Sequence, residues 1–249
     1  MDWTLTAMAI AAAALFAGGF SKGAAGIGLP PIATPIIAMV TDVPTAVGLM
    51  AVPIVISNGW QAAADGLLRN SIRRFRNVMI AIPPGVVLGG TVLSWGDPDL
   101  LFTLLGIVVS AFATLSLFRP GLHLPEGMEA RLALPVGLIA GIVGGVSSLF
   151  VPVLASFLLS LRLKPAEFVS GLGLLFFTGG VTLTLVTASF GLLTAEGWIA
   201  ALLAIIPVTL GQVAGRAIRR HIDAETFRKI VLAVLLLIGL NLLRRAIMG

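Results

Sequence analysis

Lys22 is the one ionisable residue lying well inside an apolar stretch of this chain; every other charge sits at a segment end or in a connection. An uncompensated ammonium at membrane depth costs about 2.5–3.5 kcal/mol or more, so such a group faces a polar cavity or a counter-ion. No acidic residue in the apolar segments is available to neutralise it. An anionic substrate could do so. The alternative is a lysine near a helix end whose head snorkels to the interface.

Lys22 stands in Gly19-Phe20-Ser21-Lys22-Gly23-Ala24-Ala25-Gly26-Ile27-Gly28-Leu29-Pro30-Pro31, through which no helix continues undisturbed. Prolines are harmless in a first helical turn, so a second helix is expected to begin near Gly28–Pro30. Its free N–H groups and positive dipole end favour an anion. Ser21, Lys22, Gly23, Gly26 and Gly28 are therefore candidate substrate-binding residues, with close helix packing through Gly19-x3-Gly23 as the competing explanation. A phosphate loop is excluded, because Ser21 precedes Lys22 and Gly23 follows it, where a Walker sequence has Gly before and Ser or Thr after.

A second broken stretch runs from Gly141 through Gly144, Gly145, Ser147 and Ser148 to Pro152. Hydroxyls at such a helix start, Ser147 and Ser148 here, can cap it or donate to an oxyanion. The other intramembrane polar residues are Ser57, Asn58 and Gln61 in one segment, Thr178 and Thr182 in another, and Gln212. Hydrogen bonding between helices accounts for any one of them. Asn58 and Thr178 stand out by matched placement, and Gln212 joins the candidate list. Gly137, Gly141 and Gly145 form a four-residue ladder that reads as packing.

The elements that must position these residues follow from composition. The 249 residues are 58% hydrophobic and 11% charged, against roughly 45–50% and 25% in soluble domains. This is an all-α polytopic membrane protein with no room for a soluble domain. Apolar segments fall near 3–20, 27–40, 45–64, 78–95, 99–118, 132–146, 149–161, 167–188, 197–215 and 229–246. Segments 27–40 and 149–161 are too short for a hydrocarbon core about 30 Å thick. Each is read as the returning arm of a helical hairpin.

Shifting the sequence by 121 residues superimposes Gly23 on Gly144, Pro31 on Pro152, Pro44 on Pro165, Gly59 on Gly180 and Ser57 on Thr178. The expected organisation is two inverted repeats, each a broken hairpin followed by three transmembrane helices. The first, 1–121, holds hairpin 3–40 and spans 45–64, 78–95 and 99–118. The second, 132–249, holds hairpin 132–161 and spans 167–188, 197–215 and 229–246. Loop charge supports this arrangement. It puts Arg69, Arg73, Arg74, Arg76, Arg119, Arg131, Arg162, Lys164, Arg216, Arg219 and Arg220 inside, and Asp97, Asp99 and Glu196 outside. Arg244 and Arg245 are the exception, falling outside. Inverted repeats with broken helices meeting near the midplane are a plan of secondary transporters.

The net charge of +5 belongs to orientation signals beside apolar runs, so nucleic acid is not an expected partner. The chain has no Cys, and its two His residues, His123 and His221, fall in loops. No metal and no cofactor are expected, and no intramembrane His, Cys, Asp or Glu is available for an embedded enzyme.

The two glycine-rich stretches resemble the TauE/SafE family of bacterial membrane permeases, whose halves each carry a broken segment ending in Pro. Here these are Gly19 to Gly28 with Pro31, and Gly141, Gly144 and Gly145 with Pro152; the second departs from the pattern at Ser147-Ser148-Leu149. The resemblance implies a sulfite exporter of the bacterial cytoplasmic (inner) membrane, moving sulfite or an organosulfonate. Composition and spacing imply a small-anion pathway. Uptake of another small organic or inorganic anion is the alternative, and a membrane scaffold a distant one that the short connections disfavour. The expected partners are a small anionic substrate and the lipid bilayer, with a homodimer left open.

Overall fold

The computed structural model describes residues 4–26, 28–64, 66–118, 128–161, 163–218 and 224–248. Arg119, Arg162, Arg219, Arg220, His123 and His221 lie outside the described residues. Among those described there is no strand. The helices in chain order are α1 (Leu5–Ala25), α2 (Leu29–Val40), α3 (Val43–Ala63), α4 (Leu68–Trp95), α5 (Pro98–Phe118), α6 (Met128–Ser147), α7 (Val151–Ser160), α8 (Pro165–Ser189), α9 (Ala195–Leu203), α10 (Ile205–Ile218) and α11 (Ala224–Met248). Seven spans are long and apolar enough to cross a membrane: α1, α3, α4, α5, α6, α8 and the α9–α10 pair. The chain is an all-helical, multi-pass membrane protein. At 1.5 Å per residue the 12 residues of α2 and 10 of α7 reach only about 18 and 15 Å.

The breaks before α2 and α7 have local causes. Gly26 closes α1 with φ +80°, its N–H bonded to the Lys22 oxygen at 2.8 Å, and Gly28 starts α2 at φ +136°. Both conformations favour glycine. Leu29 then packs against Gly18, so the chain turns back beside α1. In the second break Ser148, a non-glycine residue at φ +60°, donates its N–H to the Gly144 oxygen at 2.7 Å. Phe150 is the N-cap of α7 and Pro152 lies in its first turn.

The segment 197–215, read from sequence as one span, is interrupted at Ala204 between α9 and α10. Pro207 is the reason: it cannot donate to the carbonyl four residues back, and its ring crowds that carbonyl.

Glycine seams set the helix pairing. Gly137, Gly141 and Gly145 of α6 lie against the main-chain oxygens of Val78, Ile82 and Val86 on α4, and Gly85 and Gly89 lie against those of Leu138 and Ile142. A β carbon at any of these glycines would overlap the facing carbonyl, so the two backbones touch. The ladder is a packing surface, as its spacing suggests. α1 and α10 meet in the same way, through Gly19 and Gly23 against the oxygens of Val208 and Gln212, and Gly211 and Gly215 against those of Phe16 and Phe20. α5 runs beside α11, and α3 beside α8; these last two are the most buried spans.

Arg74 makes a paired contact with Glu129 at 2.9 Å and 2.9 Å, and the Ser71 and Ser170 hydroxyls bond at 3.0 Å. The starts of α4, α6 and α8 therefore share one end, rich in basic residues. At the other end Asp42 caps α3 through the Thr45 N–H at 2.7 Å, and Leu192 and Leu193 approach Gly48 and Leu49.

Candidate functional site

The Lys22 ammonium donates to the Ser57 hydroxyl at 3.0 Å and to Asn58 Oδ1 at 2.5 Å. Asn58 is itself held, its Nδ2 donating to the Ile54 oxygen at 2.8 Å, and is 2% exposed. That bond settles which face of the amide meets Lys22, because the carbonyl side alone is left to accept. Both acceptors are neutral, so they orient the ammonium without cancelling its charge. Proximity follows from packing: Gly23 brings α1 against α10, and the face of α3 bearing Ser57, Asn58 and Gln61 closes from the other side.

Lys22 lines a cavity of about 630 Å³ that opens at the basic end. Gly23, Gly26, Ser57, Gln61, Gln212 and Arg216 supply its polar wall; Trp60, Leu158, Phe168 and Leu172 supply much of the apolar one. Among the described residues no Asp or Glu lines it. Two cations facing one partly enclosed volume with no wall carboxylate create a positive potential. The cavity can attract an anion and pair it with Lys22, while its apolar wall can hold a hydrocarbon body. Among the described residues no three of His, Cys, Asp and Glu converge as a metal site.

Of the residues singled out from sequence, Lys22, Gly23, Gly26 and Gln212 converge on this cavity, and Asn58 holds Lys22. Ser21 and Gly28 line a smaller adjoining cavity of about 180 Å³ with α5, α7 and α11. Ser147 and Ser148 are fully buried at the second break. The Ser147 hydroxyl donates to the Val143 oxygen at 2.6 Å, and the Ser148 hydroxyl bonds that of Thr34 at 2.7 Å. Thr178 is away from the cavity, its hydroxyl bonded to the Leu174 oxygen at 2.9 Å. The start of α2 also carries fewer donors than its dipole suggests. Pro30 and Pro31 have no N–H, and Leu29, which has one, is fully buried.

Arg216, which the sequence reading assigns to orientation alone, also lines this cavity. The signal lies in the spacing: Gln212 and Arg216 are four apart, hence on one helix face, and Gln212 is already a candidate site residue.

The model of one protein family, described as sulfite exporter TauE/SafE, matches residues 10–242 of the chain. No curated protein and no solved structure matches it.

Proposed function

The chain belongs to the sulfite exporter TauE/SafE family, and from that membership we propose a secondary transporter that exports a small sulfur-containing anion across the bacterial cytoplasmic membrane, with Lys22 holding the anion. The observation that carries this reading is the Lys22 ammonium itself, oriented by Ser57 and Asn58 and facing a cavity whose described walls hold no carboxylate. A charged hydrogen bond from such a group to an oxyanion is among the stronger polar contacts available. Arg216, at the mouth, gathers anions and contributes less to holding them, because it is exposed. The aromatic and aliphatic wall formed by Trp60, Phe168 and Leu172 favours an organosulfonate over bare sulfite.

The proposed organisation is an inverted repeat of residues 1–121 and 132–249, and the packing supports it. Gly19 and Gly23 meet α10 as Gly141 and Gly145 meet α4; Gly211 and Gly215 answer as Gly85 and Gly89 do. Gly26 and Ser148 close their helices with the same N–H bond at positive φ, and Pro30 and Pro152 each follow two residues behind an N-cap. These pairs align Gly23 with Gly145, one residue from the match drawn on sequence. On this reading the basic end is cytoplasmic, the cavity is open inward, and exchange of conformations between the halves exposes the anion to the other side.

Flux into and out of liposomes containing the purified protein tests the reading, screened over sulfite, sulfate, thiosulfate and small sulfonates. Saturable sulfonate or sulfite transport, lost in Lys22→Gln, is expected. No anion flux above protein-free liposomes would overturn it.

A further inference from the structure

The N–H of Ser148 bonds the Gly144 oxygen as that of Gly26 bonds the Lys22 oxygen, so Gly144 stands level with Lys22. The N-caps Asp42 of α3 and Lys164 of α8 keep the same register, so Gly179 stands level with Ser57, the hydroxyl acceptor of Lys22, and Gly180 with Asn58. Where the first half has an ammonium, a hydroxyl and an open cavity, the second has two glycines with the Phe150 ring between them. A β carbon on Gly144 or on Gly179 would overlap ring atoms of Phe150. The ring is 2% exposed and lies 6.3 Å from that of Phe176. Phe150 is the N-cap of α7, the place that Gly28 takes before α2. Further toward the opposite end, Gly90 presses on the Val186 side chain. Gly90 is the counterpart of Arg216, because each follows by five residues one of the matched glycines Gly85 and Gly211. The groups that surround a cavity in one half thus correspond to groups around a filled notch in the other.

We propose that the notch between Gly144 and Gly179 is the outer part of the substrate path, and that Phe150 is the residue closing it while the Lys22 cavity is open. The inference rests on the inverted-repeat transporter reading and adds a residue to it. A transporter that exposes its site to one side at a time must fill the path on the other. An anion cannot pass a dry phenyl ring packed between two helices without losing its hydration to an apolar wall. Opening to the outside therefore requires the ring to leave the notch. Glycine at both flanking positions leaves no side chain to obstruct that movement. The first half needs no such ring at Gly28, because in this conformation its cavity is the open one.

The chain has no Cys of its own, so a single cysteine can report the opening. Leu183 is fully buried and lies one turn beyond Gly179 on α8, toward the opposite end. Leu183→Cys should label slowly with a membrane-impermeant methanethiosulfonate added outside, without substrate. Adding Phe150→Ala should accelerate labelling by about tenfold or more, because the closed form loses its packing. Phe150→Met, which refills much of the volume with a flexible chain, carries the same expectation in smaller degree and serves if the alanine variant does not fold. Phe75→Ala, which removes a buried ring near the basic end, should leave labelling slow. Unchanged labelling in both Phe150 variants, or equal acceleration by Phe75→Ala, would overturn the assignment. The parent reading is checked separately with cysteines at Asn70 and Ala217, expected to label only from inside, and at Asp99 and Ala195, only from outside. If that pattern holds and Leu183→Cys is not accelerated, Phe150 alone is refuted; if the pattern fails, the inverted repeat falls with it.

Discussion

The Arg245 guanidinium donates to the main-chain oxygen of Met39 at 2.9 Å and lies 4.5 Å from the centre of the Phe102 ring. Met39 is in the last turn of α2, where unpaired carbonyls form the negative end of the helix dipole. Arg244 and Arg245 are the basic pair that loop charge leaves on the unexpected side. The contact gives Arg245 a structural task at that end, closing the C-terminal turn of α2 and stacking on α5.

Arg245→Gln should therefore lower stability by about 0.8–2 kcal/mol, the sum expected of a helix-end charge and an exposed cation–π contact. Arg244→Gln, which removes a local 3.1 Å bond to Asn241 on an exposed surface, should change it little. Thermal unfolding in detergent compares the two, and equal effects would refute the helix-end role.

Replacing Lys22 by Gln should weaken anion binding by about 1.5–3 kcal/mol, tenfold to more than a hundredfold, as for loss of a charged hydrogen bond. Arg216→Gln should cost less, about 0.2–1 kcal/mol, and its effect should shrink as salt is raised, because the group is exposed. Affinity titrations at two ionic strengths read both. A Lys22→Gln protein that binds as tightly as the parent would remove Lys22 from the site.

The glycines separate into two kinds that one stability measurement distinguishes. A β carbon on Gly26 meets nothing within 4 Å, so Gly26→Ala carries only backbone strain at φ +80°, about 1–2 kcal/mol. A β carbon on Gly141 meets the Ile82 carbonyl, so Gly141→Ala must push α6 off α4, at a cost of about 3 kcal/mol or more. Unfolding of Gly26→Ala at or below the midpoint of Gly141→Ala would contradict this ordering.

Ser148 combines a positive φ with a buried bond to Thr34. Ser148→Ala keeps the strain and leaves the Thr34 hydroxyl without that partner, so a loss of about 1–3 kcal/mol is expected. Ser148→Gly loses the same bond but relieves about 1 kcal/mol or more of strain, and should lie between alanine and the parent in unfolding midpoint.

Much of this protein is legible in its sequence, and for a definite reason. In a bilayer every backbone group must be paired within its own segment, so apolar length and Gly–Pro punctuation are close to a structural readout. That is why the interruptions at Gly26–Gly28 and Ser148–Phe150, the short α2 and α7, and the isolation of Lys22 were all visible. The same logic did not reach pairing across the chain. A glycine ladder announces that a helix is approached closely but not by which partner, and Gly19 and Gly23 would read the same against any neighbour. Only the tertiary structure decided that α10 is that neighbour, which brings Arg216 to the cavity that Lys22 faces. It also decided that Ser147 and Ser148 spend their hydroxyls inside the second break, and that Phe150 lies between Gly144 and Gly179. Hydroxyls and phenyl rings have the same composition whether they line a path or close it. What differs is what stands opposite, and that is set by helices far apart in sequence coming into register.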